Sequence, residues 1–144
     1  MKKSIRKIGA SLLAIGVTAA GVSSIPASAY VPTITRYANF TVGHNEPNNN
    51  LFYCTGVLSY TPGSSDYYYC STTAPSNFLI QKVTVWASAE YAYGGVATYD
   101  TYEGRYFVSH SYYSRNNTRF RGMFNAYADA RKVNPSNGGN SAYV

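Results

Sequence analysis

Apolar and polar residues alternate along residues 78–93, in the middle of the chain. One face is apolar except for Gln81, and it comprises Leu79, Val83, Val85, Ala87, Ala89, Tyr91 and Tyr93. The opposite face carries Lys82, Thr84, Ser88 and Glu90. A period of two, rich in β-branched and aromatic residues, is typical of a strand with one buried and one solvated face. The pattern therefore predicts a long strand that ends at Gly94 and Gly95.

Strand-like patterns continue beyond these glycines. They predict a second strand over residues 96–102, a tight turn at Glu103 and Gly104, and a third strand over residues 105–113. Residues 118–133 fit either a strand with an apolar face from Phe120 to Ala130 or an amphipathic helix. The strand is favoured, because the alternation is nearly complete and Gly122 would weaken a helix by about 1 kcal/mol.

Residues 30–42 also alternate and predict a first strand. A hairpin follows, with strands over residues 51–60 and 66–73 and a turn over residues 61–65. Cys54 and Cys70, the two cysteines of the chain, lie at equal distances from Pro62. We therefore expect them to face each other and to form a disulfide, with Gly56 opposite Tyr68, which would stabilise the fold by roughly 3 kcal/mol.

These segments indicate an all-β fold of about 6–8 strands. The small residues on the predicted inner faces favour a close packing of two sheets, so we expect an antiparallel β-sandwich or a flattened barrel. Residues 30–144 are predicted to form a single β domain. Residues from about 134 onward predict a loose C-terminal tail, although residues 142–144 could add a short edge strand.

The first 29 residues have the pattern of a secretory signal peptide. A basic start (Lys2, Lys3, Arg6, Lys7) precedes an apolar run over residues 8–22, and Pro26-Ala27-Ser28-Ala29 ends in the small-x-small pattern of a cleavage site. Residues 4–7, with Gly9 and Ser11, resemble part of the YSIRK-type signal of Gram-positive surface proteins, without its Tyr. The mature chain, from Tyr30, is expected to be secreted and to carry no transmembrane anchor.

Removal of the signal changes the charge. The whole chain carries 12 Lys and Arg against 6 Asp and Glu, a net charge of +6. Four of the basic residues lie in the predicted signal, so the mature chain has eight basic residues against six acidic ones, or +2. This balance gives little support to a nucleic-acid partner, and none is expected.

Candidate catalytic groups are scarce. The mature chain has two histidines and six carboxylates, and no nucleotide-binding, metalloprotease or nucleophile-elbow motif. His110 is the one residue on which a small hydrolase or nuclease could be built, but a strand histidine packed among tyrosines is the favoured interpretation. We therefore predict a protein without enzymatic activity, cofactor or metal ion.

Tyrosine is the most distinctive residue of the chain, with 16 copies. The runs 67–69 and 112–113 place phenol rings on both faces of their strands, so some of these rings must meet solvent or a partner. The exposed members of Tyr67, Tyr69, Tyr112 and Tyr113 are the first candidate binding residues. Arg119 and Arg121 alternate on one strand face and are candidates for an anion-binding patch.

Two functions remain open on these residues. The favoured one is a secreted domain that binds a cell-surface glycan or protein through a Tyr-rich surface. The alternative is a bacteriocin-like or toxin-like protein that acts on the envelope of other cells. Over Ser109 to Tyr113 the chain resembles the Ser/Tyr/His-rich strands of lactococcin-972-type bacteriocins, without the Trp- and Gly-rich opening of that family.

Overall fold

The computed structural model describes residues 32–44 and 50–144, and the predicted signal peptide with its cleavage site lies outside this range. The described chain is all β and antiparallel. It contains the strands β1 (Ile34–His44), β2 (Asn50–Thr61), β3 (Asp66–Thr73), β4 (Ile80–Tyr91), β5 (Val96–Thr98), β6 (Tyr102–Gly104), β7 (Phe107–Ser114), β8 (Asn117–Ala128) and β9 (Asn137–Tyr143). None of it forms a helix with the length and apolarity needed to cross a membrane.

The strands form two antiparallel sheets. Sheet A has the order β1-β2-β3-β7, and sheet B has the order β5-β4-β8-β9, with β6 also paired to β4. The two-residue connection Arg115-Asn116 carries the chain from β7 in sheet A to β8 in sheet B. Asn116 has a φ of 55° there, a conformation that asparagine tolerates better than most residues.

The apolar faces of the two sheets pack on each other. Tyr68 of sheet A stacks on Phe120 of sheet B, with ring centroids 3.7 Å apart and ring planes 5° from parallel. Gly56 of β2 faces the ring of Phe124 so closely that a Cβ at position 56 would overlap it. The small residues of the inner faces thus leave room for large rings opposite them, and the result is a sandwich-like core.

Strands β1 and β9 lie side by side at one edge of the two sheets. The side-chain amide of Asn140 donates a hydrogen bond of 2.9 Å to the carbonyl oxygen of Asn39. A Cβ at Gly138 would collide with the carbonyl oxygen of Thr41, so the close approach of the two strands requires glycine at position 138. This contact places the outer edge of sheet B against the outer edge of sheet A.

The strand prediction for residues 118–133 is confirmed as far as Ala128, and the helical alternative is wrong. Two other predictions of local structure are wrong. Glu103 and Gly104 do not form a turn but belong to β6, where they pair with Thr84 and Val83. The predicted strand over residues 96–102 is divided into β5 and β6, because an irregularity between the two shifts the register against β4 by one residue.

The predicted loose tail from about residue 134 is also wrong. Residues Asn137–Tyr143 form β9, which pairs with β8 along its whole length. The glycines that suggested a flexible tail have a different role, because Gly138 and Gly139 lie where a side chain would collide with β1 and β8.

The predicted disulfide is wrong because the register of the hairpin differs from the expected one. Cys70 pairs with Leu58 and Gly56 pairs with Thr72, a shift of four residues. The observed pairing is centred at Ser64, two residues after Pro62. The carboxylate of Asp66 accepts hydrogen bonds from the backbone N–H of Gly63 and from the Tyr60 hydroxyl, and these bonds stabilise this turn. Four residues along a strand span about 13 Å, which is too far for a disulfide. Both cysteines are free and buried.

Candidate functional site

The outer face of sheet A carries no charged residue in the part of the chain that the structure describes. Alternation along β1, β2, β3 and β7 sets the outward positions, since most of the intervening residues point into the core; Ile34 and Arg36 near the start of β1 are exposed instead. The outward residues of this face, among which Ser71 is buried, are Thr35, Tyr37, Asn39, Thr41, Tyr53, Thr55, Val57, Ser59, Thr61, Tyr67, Tyr69, Ser71, Thr73, Phe107, Ser109, Ser111 and Tyr113. Hydroxyl-bearing and aromatic side chains thus make up nearly the whole surface.

The aromatic residues are spread evenly over this face. Outward residues that pair side by side across the strands form a row that runs across the sheet. Along the strand direction there are five successive rows, and each holds at least one aromatic ring. In order, the rows hold Tyr53, Phe107, Tyr37, Tyr69, and the pair Tyr67 and Tyr113. Successive rows are about 6.8 Å apart, since outward residues alternate along a strand. The rings therefore form a dispersed series across four strands.

Four of these rings are open to solvent. The exposed fraction is 71% for Tyr37, 75% for Tyr53, 54% for Phe107 and 63% for Tyr113. Exposed rings that recur along one uncharged face make this face the candidate contact surface.

The hydroxyl groups between the rings are partly linked to one another. Thr35 and Ser59 lie 3.2 Å apart at their hydroxyl oxygens, and the Tyr67 hydroxyl lies 2.8 Å from that of Ser111. The second contact also orients Tyr67, whose ring meets that of Tyr113 at a centroid distance of 5.3 Å. These lateral contacts restrict the side chains of Ser59, Tyr67 and Ser111.

An open depression of about 490 Å³ lies beside Tyr53. Its lining includes Asn39, Thr41 and Thr55, which neighbour Tyr53 on β1 and β2. The amide and hydroxyl groups of these residues both donate and accept hydrogen bonds, and the tyrosine ring offers a flat apolar surface. The depression therefore combines a stacking surface with neutral polar groups.

The predicted binding tyrosines fall into two groups. Tyr67, Tyr69 and Tyr113 lie on the outer face of sheet A. Tyr112 points inward and is only 3% exposed, so it cannot be a surface binding residue. Its ring packs against Tyr99, Phe120 and His110, and burial raises the pKa of its hydroxyl.

Arg119 and Arg121 lie on the outer face of sheet B and not with the tyrosines of sheet A. The guanidinium carbon of Arg119 lies 3.7 Å from the ring centroid of Tyr143, and that of Arg121 lies 5.4 Å from it. The two sets of predicted binding residues therefore belong to separate surfaces.

His110 lies among aromatic rings. It stacks on Tyr102 at a centroid distance of 3.5 Å and meets the ring of Tyr112 edge-on at 4.9 Å. Within residues 32–44 and 50–144 no three His, Cys, Asp or Glu side chains are grouped so that they could hold a metal ion. The rings around His110 give it a packing role in this core.

Sequence reasoning missed Tyr37, Tyr53, Phe107 and Asn39 as surface candidates. A signal was present, because the alternation of residues 30–42 already placed Tyr37 and Asn39 on the polar face of the first strand. The consecutive tyrosines drew attention to β3 and β7, whereas the surface extends over all four strands. Its extent could be recognised only once the register between strands was known.

The chain matches no family model, and no curated protein and no solved structure is significantly similar to it.

Proposed function

We propose that this protein is a secreted, non-enzymatic binding domain that holds a neutral glycan of a cell envelope on the outer face of sheet A. The observation that carries this proposal is the uncharged face itself, on which five successive rows of Ser, Thr and Asn residues each contain an aromatic ring. The depression beside Tyr53, at the end of the face where the first row lies, forms one part of the proposed site.

The chemistry of the face supports a sugar as ligand. Pyranose rings present apolar C–H faces, which stack on aromatic side chains, and a rim of hydroxyl groups that pair with hydroxyl and amide groups. A charged ligand would find no opposite charge on this face and would lose its hydration without compensation. These two considerations favour a neutral glycan over a nucleic acid or an acidic polymer.

The size of the face supports an extended ligand. Five rows at about 6.8 Å each give four intervals, or about 27 Å along the strands. The exposed rings Tyr53, Phe107, Tyr37 and Tyr113 are distributed over this length and lie on β1, β2 and β7. Several weak stacking contacts along one polysaccharide chain add up to useful affinity when they are engaged together.

The experiment is co-sedimentation of the mature chain (residues 30–144) with insoluble neutral polysaccharides, namely cellulose, chitin and β-1,3-glucan. Wild-type protein should sediment with at least one of them. Tyr53→Ala and Tyr37→Ala should each weaken the binding by about tenfold, the loss expected for one stacking ring. Tyr93→Ala is the matched control, because Tyr93 is an exposed tyrosine in the turn between β4 and β5.

Three outcomes would contradict the proposal. The first is an absence of binding to all three polysaccharides, and the second is an equal effect of Tyr93→Ala and Tyr53→Ala. The third is growth inhibition or dye leakage in neighbouring bacterial species that Tyr53→Ala leaves unchanged, which would favour the toxin-like alternative.

A further inference from the structure

The outer face of sheet B contains two arginines that share one aromatic ring. Arg119 and Arg121 are consecutive outward residues of β8, and Tyr143 of β9 pairs with Arg121. The guanidinium carbons lie 3.7 Å and 5.4 Å from the Tyr143 ring centroid. Contact with the ring face holds both groups at the surface of the sheet and restricts their freedom.

One side-chain carboxylate among the described residues lies within ion-pair distance of these two arginines. Glu90 lies 3.9 Å from Arg119, and both side chains are about half exposed, so this ion pair is weak. No carboxylate among the described residues lies within ion-pair distance of Arg121. Within the described structure its guanidinium Nη2 donates a hydrogen bond of 3.3 Å to the Ser141 hydroxyl. Its buried Nε–H has no hydrogen-bond partner in the described structure.

Two other cations have a carboxylate closer to them. Lys82 forms a 2.6 Å ion pair with Glu103, and Arg131 lies 3.4 Å from Asp129. Among the described residues, Arg119 and Arg121 are neighbouring cations that have one long ion pair, from Arg119, and an unpaired donor on Arg121. Two like charges held beside one ring repel each other, and an anion bound between them would remove that repulsion.

We propose that Arg119, Arg121 and Tyr143 form a binding site for a phosphate group. The oxygen atoms of one phosphate group can accept hydrogen bonds from the paired N–H donors of two guanidinium groups at once. The negative charge of the phosphate offsets the charge of both arginines. The site belongs to sheet B and is independent of the glycan surface on sheet A.

The test is a titration of the 15N-labelled mature chain with inorganic phosphate, with sodium chloride at matched ionic strength as the reference. Saturable shifts of the backbone amides of residues 119–122 and 141–143 are expected with phosphate and not with chloride. Arg121→Gln and Arg119→Gln should each weaken binding about tenfold. Arg121→Lys should weaken it about fivefold, because lysine keeps the positive charge but lacks the paired N–H donors of the guanidinium group. Arg131→Gln should leave binding unchanged. The same spectra report whether each variant is folded.

The source of the phosphate is tested with two further probes. Polyphosphate should bind at least about tenfold more tightly than monophosphate, because a polymer offers many phosphates to one site. Phosphatidylglycerol vesicles should bind no more strongly than vesicles of phosphatidylcholine. Equal shifts with chloride, or an equal effect of Arg131→Gln, would each overturn the proposal.

Discussion

Gly56 of β2 lies directly beneath the ring of Phe124 of β8, with no space for a side chain between them. The two residues come from different sheets, so this contact sets how closely the sheets approach. The missing side chain of the glycine leaves the space that the large ring fills. Because protein cores are closely packed, a larger residue at position 56 would have no space beside this ring. The face-to-face packing of sheets A and B therefore depends on the absence of a side chain at position 56.

Gly56→Ala should destabilise the fold. The added methyl group would overlap the Phe124 ring, and overpacking of this kind costs about 1–3 kcal/mol. Urea unfolding followed by fluorescence of Trp86 measures the change in the free energy of unfolding. Gly63→Ala is the matched control, since a Cβ there has only an ordinary contact in the turn and should change the stability by less than about 0.5 kcal/mol. Equal stabilities of the two variants would contradict the described sheet packing.

The two thiols should be free and unreactive in the folded protein. Cys54 and Cys70 are 2% and 0% exposed, and burial raises the pKa of their thiols to about 11 and about 12. Because the thiolate is the reactive form, a thiol reagent such as DTNB should label neither cysteine in native protein and both in denaturant without reductant. Prompt labelling of the native protein would show that the cysteines are accessible. An absence of labelling in denaturant would show that a disulfide had formed.

Stability should fall at alkaline pH. Burial raises the pKa of the Tyr68 hydroxyl from 10.0 to about 12 and raises the pKa of both thiols from 9.0. The folded state therefore keeps protons that the unfolded chain releases. The contribution of these protonated groups to stability is complete below about pH 9 and is lost as the pH rises through 11–12. Each such group lowers the free energy of unfolding by up to about 1.4 kcal/mol per pH unit between its two pKa values.

Urea unfolding at pH 8, 9, 10 and 11 measures this dependence. The double variant Cys54→Ala/Cys70→Ala should be less stable at pH 8 but should show a shallower decline toward pH 11. A stability that stays level or rises from pH 8 to pH 11 in the wild type would contradict the buried, protonated state of these groups.

The sequence was sufficient for the fold class and for the inner and outer faces of most strands. The alternation in residues 78–93 and 118–128 follows directly from the periodicity of side chains along a strand. Pairing between strands was not accessible in the same way. A register shift by an even number of residues keeps every side chain on its face, so the pattern allowed Cys54 opposite Cys70 as readily as Leu58 opposite Cys70.

The candidate surface was predictable only in part for the same reason. Tyr67, Tyr69 and Tyr113 could be named from their runs, but a run of two tyrosines does not by itself show that Tyr112 is the one that points into the core. The role of Gly138 depends on β1, which is about a hundred residues away in the chain. A composition rich in Gly and Asn predicts flexibility unless a neighbouring strand is known to occupy the adjacent space.

Chemical-shift mapping with soluble neutral oligosaccharides tests the glycan proposal most directly. Cello-, chito- and laminari-oligosaccharides are titrated into the 15N-labelled mature chain, and the shifted backbone amides are assigned to the two sheets. The account predicts saturable shifts for at least one of the three sugars, confined to outward residues of β1, β2, β3 and β7 and largest around Tyr53 and Asn39. Shifts confined to sheet B, or no shifts with any of the three sugars, would contradict it.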